Sequence, residues 1–120
     1  MDTDVDYNFR VKKEEYEDAL DALARRQKTM ESEEEDIFDI KKEIFEFINE
    51  EEEYNKECPE TLRVLSNFEE EASEAINTYE MEIEEEFDEL QKTRNQVLEE
   101  KDELEEEYYK KIYEEEEEKY

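Results

Sequence analysis

The sequence predicts an all-α fold, an antiparallel two-helix hairpin packed in coiled-coil fashion, and three observations predict it. The 120 residues include no glycine and one proline, Pro59, so tight hairpin turns, bulges and phosphate-cradling loops lack the backbone freedom they need. Two apolar ladders recur every seven residues, one in each half of the chain. One interruption, NKECPETLR, separates them. A chain of this length makes at most one small domain. The reading is therefore a single helical-hairpin domain over 1–120, with 108–120 an overhanging acidic and aromatic tail.

Helix one is expected at about 8–55. Phe9, Tyr16, Leu23, Met30, Ile37 and Ile44 fall seven apart. Leu20 and Ile48 fill the intermediate position, which elsewhere goes polar at Gln27, Glu34 and Lys41. Helix two is expected at about 59–117, where Ile76, Ile83, Leu90, Val97 and Leu104 form the second ladder. Sustained heptads of this kind mark long helices packed along a narrow seam. At the break, Asn55 suits a left-handed helix end and Pro59 suits the first turn of the next helix.

A short loop makes the helices antiparallel, so facing residues should carry numbers that add to a constant. Phe9 with Leu104, Tyr16 with Val97, Leu23 with Leu90, Met30 with Ile83, Ile37 with Ile76 and Ile48 with Leu65 all give 113. Ile44, opposite Glu69, is poorly matched. In that register the bases cluster opposite acids. Arg10, Lys12 and Lys13 meet Glu99 to Glu103; Arg25, Arg26 and Lys28 meet Glu84 to Asp88; Lys41 and Lys42 meet Glu69 to Glu74. Lys92 and Arg94 meet Glu17, Asp18 and Asp21. Each exposed pair is worth only about 0–1 kcal/mol, and such pairs act mainly by selecting orientation.

Composition narrows the function. With 45 acids against 16 bases the net charge is −29, a balance that borders on disorder. The ordering of the apolar third into ladders is what argues for a fold. Histidine is absent, which removes the usual neutral-pH general base, any Cys–His pair and a Glu-x-x-His di-iron site. An EF-hand loop needs a glycine that the chain lacks. The expectation is no enzyme, no cofactor and no metal, with the Glu runs 50–53 and 114–118 acting as solvated helix faces.

Cys58 is the lone cysteine, so no internal disulfide forms and a reducing compartment is expected. It reads as a small semi-buried residue beside a turn, its thiol pKa raised by acidic neighbours. No apolar run reaches the length of a membrane span, and MDTDVDYNF lacks signal-peptide character. The expected place is the cytosol, with export only by a route that needs no cleaved leader. Phosphate would be repelled, which excludes ordinary nucleic-acid binding.

Two regions carry more apolar surface than one hairpin can bury. Near the loop, Phe38 and Phe45 flank the first ladder on one side and Ile40 and Phe47 on the other, while helix two adds Leu62, Val64 and Phe68. A stripe that wide calls for a third or fourth helix. Phe38, Ile40, Phe45, Phe47 and Phe68 are the candidate docking residues. The second region is YYKKIYEEEEEKY. Residues from Tyr109 onward would need partners before residue 5, so Tyr108, Tyr109, Ile112 and Tyr113 are expected to overhang as a recognition tail, with Lys110 and Lys111 near Asp2, Asp4 and Asp6. A hairpin with a polar-interrupted seam is marginal in water, so another polypeptide is expected to complete the bundle.

The acidic second helix, FDELQKTRNQVLEEKDELEEEYYKKIYEEE, in a glycine-poor helical hairpin of this size resembles the small helical proteins encoded beside LXG-domain toxins of type VIIb secretion systems. The resemblance implies binding to the helical LXG region of a secreted toxin, as targeting factor or chaperone, with a second small helical protein as a further partner. Those proteins are distant structural cousins of the WXG-type secreted hairpins. Tyr113 and Glu117 meet the Tyr-x-x-x-Asp/Glu export signature of that group, whereas NKECPET holds neither Trp nor Gly at the turn. Two further readings stay open. One is a self-assembling coiled-coil adaptor, homodimeric in isolation. The other is an acidic DNA mimic: helices of roughly 70–85 Å would carry about one net negative charge per 3 Å, against about one per 1.7 Å in duplex DNA.

Overall fold

The computed structural model, which describes residues 3–118, contains two helices and no strand among them. Helix α1 spans Thr3–Tyr54 and helix α2 spans Pro59–Glu118, giving the all-α hairpin that the ladders predict. Neither is long and apolar enough at any point to cross a membrane. Helix α1 starts earlier than the expected residue 8. Asp4 and Asp6 lie in its first turn, where carboxylates meet the positive end of the helix dipole.

The turn departs from expectation in its mechanism. No described residue has a positive φ, so Asn55 does not end α1 in the left-handed conformation. Its side chain does the capping instead. Asn55 Nδ2 donates to the Glu51 carbonyl at 2.8 Å and to Glu51 Oε2 at 3.2 Å, and its N–H bonds the same carbonyl at 2.9 Å. The Cys58 N–H then donates to the Asn55 carbonyl at 2.8 Å, closing the turn, and the Leu62 N–H reaches the Cys58 carbonyl at 3.1 Å. Cys58 thus stands at the cap position of α2, ahead of Pro59, whose missing N–H costs nothing in a first turn.

The chain forms two compact units, one of residues 1–27 with 88–120 and one of residues 28–87. In the first, Phe9 stacks on Tyr108 with ring centroids 3.8 Å apart and planes within 4°. Tyr109 meets Phe9 edge-on at 6.4 Å, and Lys13 Nζ stands 5.8 Å from the Phe9 ring centre. The Tyr108 hydroxyl donates to Asp6 Oδ1. Lys13 pairs with Glu105, and Lys101 with Glu17, each at 3.8 Å. Leu90 is buried, and Leu20, Leu23, Val97, Leu104, Val5 and Ile112 are half-buried.

These contacts correct the expected register and the expected tail. Phe9 was to face Leu104; it stacks on Tyr108, one helical turn further on, and the contacting pairs spread above 113, from 114 for Asp6 with Tyr108 to 118 for Lys13 with Glu105 and Glu17 with Lys101. The physical reason is that a knob from one helix sits among four residues of the other, so ladder residues also meet the intermediate positions of the facing helix. Lys101 and Tyr108 occupy those positions in α2. Tyr108 consequently packs on α1 and does not overhang it, while Tyr109, in edge contact with Phe9, and Tyr113 are exposed. Of the acids expected near Lys110 and Lys111, Asp2 lies outside the described residues, as do positions 119 and 120 of the tail.

In the second unit the seam is drier. Met30 and Ile48 are each 1% exposed, with Leu65, Ile76 and Ile83 also buried; full burial of such a side chain is worth about 1.5–3 kcal/mol. Lys41 pairs with Glu80 at 3.4 Å, not with the expected acids at 69–74. Ile44, poorly matched to Glu69 on paper, lines a common surface with Ala72 and Ile76 instead.

Candidate protein-docking surface

Within the 28–87 unit, the spacing of apolar residues is broader than a two-helix seam can cover. Ile37 and Ile44 are half-buried, but Phe38 is 67% exposed, Ile40 and Phe47 51% each and Phe68 42%. Phe45 is half-buried. Helical period sorts these five candidate docking residues onto two faces. Phe38 and Phe45, seven apart, share one face with Lys41 between them. Ile40 and Phe47, also seven apart, share the other.

The Ile40 face contains an open groove of about 450 Å³. Helix α1 contributes Glu33, Asp36, Ile37, Ile40 and Ile44, and α2 contributes Ala72, Ala75, Ile76 and Tyr79. Its depth has a simple cause. Ala72 and Ala75, three residues apart on α2, are too small to fill the space beside Ile40 and Ile44. Phe68 precedes Ala72 by one turn and Phe47 follows Ile40 by two, so both extend the apolar strip along the same face. The charged groups in the lining are both carboxylates.

Sequence reasoning found Ile40 but not Ala72, Ala75 or Tyr79. The signal was present as a pair of alanines three apart with a tyrosine one turn later, in a stretch otherwise dominated by glutamate. It also missed Tyr54 and Met81, which are exposed in the same unit, as is Val64, which the sequence had placed in the wide apolar stripe. Of the four tail candidates, which belong to the other unit, Tyr108 is stacked and hydrogen-bonded, Ile112 is half-buried, and Tyr109 and Tyr113 are exposed.

Two titratable groups are shifted. Tyr108 is held above the ordinary phenol range, first by its hydrogen bond to Asp6 and then by desolvation. Cys58 is exposed, not semi-buried, and its thiol is lowered, not raised. Its Sγ lies 3.1 Å from Thr61 Oγ1; that hydroxyl first, and then the Thr61 and Glu60 amides of the first turn of α2, stabilise the thiolate more than desolvation opposes it. Among the described residues no three acidic or cysteine side chains gather as metal ligands would. What the surface offers chemically is contact area and negative charge.

Neither a family model, nor a curated protein, nor a solved structure matches the chain.

Proposed function

We propose that this protein is a non-catalytic helical accessory protein that binds helices of another polypeptide, specifically the helical N-terminal region of an LXG-type toxin, and targets it to a type VIIb secretion system. The observation that carries the reading is the uncovered apolar strip of the 28–87 unit, where large side chains on both helices stand exposed beside a groove. An exposed strip of this kind on a chain with half its residues charged is a site for another polypeptide. The resemblance of the acidic second helix to LXG-associated proteins supplies the identity of that polypeptide.

The test is reconstitution. The purified protein and the N-terminal region of an LXG toxin from the same host are mixed, and the complex is sized by light scattering. A stoichiometric complex, weakened by paired Phe38→Ser and Phe45→Ser changes that leave the helical circular dichroism intact, is the expected result. Absence of a complex overturns the toxin assignment. A stable homodimer burying both faces favours the self-assembling adaptor.

A further inference from the structure

We infer that the groove of the 28–87 unit receives a single amphipathic helix whose apolar stripe is bordered by lysine or arginine, an inference that rests on the partner-binding reading above. Shape and charge together select that occupant. The floor, of Ile40, Ile44, Ala72 and Ala75, is apolar and suits side chains spaced three, four and seven apart on one helix. The charged lining, Glu33 and Asp36, is negative. Helical period adds Glu43, seven residues beyond Asp36, and Glu82, seven beyond Ala75, to the same face.

Bases are sparse in the sequence along this strip. Between Arg63 and Lys92 the second helix has none, and between Lys28 and Lys56 the first has only Lys41 and Lys42. Lys41 is bonded to Glu80 and shares the face of Phe38 and Phe45. A helix lying in the groove therefore desolvates carboxylates, and that cost is offset only if the incoming helix brings cations. A second copy of this chain brings a net charge of −29 instead, and nucleic acid or an anionic membrane is repelled in the same way.

The full-length protein is titrated with a fluorescent helical peptide of about 20 residues carrying leucines at the i, i+3, i+4 and i+7 positions and lysines along both borders. Two controls accompany it: the same peptide with glutamate for every lysine, and the same residues reordered so that the leucines encircle the helix. The lysine-bordered peptide is expected to bind at least about tenfold more tightly than either control. Ala75→Trp, which fills the groove from an exposed position, is expected to cost about tenfold, Tyr79→Ser to weaken binding in the same direction, and Tyr7→Ser, an exposed residue of the other unit, to change it by less than about twofold. Equal affinity for the glutamate peptide overturns the charge inference while leaving helix docking intact. Equal affinity for the reordered peptide, or indifference to both groove variants, shows attraction to the acidic surface at large and overturns the groove. The toxin reconstitution answers separately, since it can fail while the peptide binds.

Discussion

Ile48, like Met30, separates seam from surface sharply. It is 1% exposed, whereas Phe38, ten residues earlier on the same helix, is 67% exposed. Ile48→Ala removes three buried carbons, about 2.4 kcal/mol at about 0.8 kcal/mol each, and adds a cavity term within the roughly 2–5 kcal/mol range for such truncations. A seam only two helices thick can relax into the gap, so about 2.5–3 kcal/mol is expected. Phe38→Ala forfeits only the covered third of its surface and gains about 0.5 kcal/mol of helix propensity, leaving a cost under about 0.5 kcal/mol. Urea unfolding followed by circular dichroism reads both. With a slope of about 1.5 kcal/mol/M the midpoint should fall by nearly 2 M for Ile48→Ala and hardly move for Phe38→Ala. Should Phe38→Ala cost as much as Ile48→Ala, or Ile48→Ala less than about 1 kcal/mol, the division of α1 into seam and docking faces is wrong.

Register is checked by a cysteine pair in a Cys58→Ser background: Phe9→Cys with Tyr108→Cys should cross-link faster than Phe9→Cys with Leu104→Cys, and the opposite order contradicts the stacked geometry. For Cys58 itself, Thr61→Val removes the leading cause of the lowered thiol pKa, so alkylation by iodoacetamide near neutral pH should slow; an unchanged rate would mean that Thr61 does not support the thiolate. Tyr108 gives a pH signature. Its pKa is raised in the folded state, so the stability it contributes is complete below the ordinary phenol value and disappears as pH rises through the raised one. One of the eight tyrosines should therefore ionise late in an absorbance titration near 295 nm, and Tyr108→Phe should remove that late step and flatten the alkaline loss of melting temperature.

Much of the fold was legible because its causes are local and repetitive. Ladder spacing specifies helix, the absence of glycine removes alternatives, and Pro59 places the start of α2 at the residue where it is found. Register was legible only to within a turn. The ladder of isoleucines and leucines in α2 was matched to its counterpart in α1, but Tyr108 and Lys101, polar enough to look like surface, share the seam. The first turn of α1 was lost for a related reason: acidic residues such as Asp4 and Asp6 resemble a disordered lead-in until their position at the dipole is known. At Asn55 two capping mechanisms fit one residue, and the side-chain route is the one used.

The surface was legible in part. Excess apolar width in α1 is visible from spacing alone, and it located Phe38, Ile40, Phe45 and Phe47. Which of them share a face with helix two depends on register, and so does the groove. Ala72 and Ala75 carry no signal by hydrophobicity; they matter because of what they leave empty beside Ile40 and Ile44.

The uncovered strip of the 28–87 unit is the centre of the account, and isoleucine-methyl NMR tests it most directly. The seven isoleucines report the groove through Ile37, Ile40, Ile44 and Ile76, the dry seam through Ile48 and Ile83, and the other unit through Ile112. On titration with the lysine-bordered helix, the groove methyls should shift and saturate together while Ile112 stays still. Shifts confined to Ile112, or none at the groove when the helix is bound, would contradict the assignment of this face to a partner.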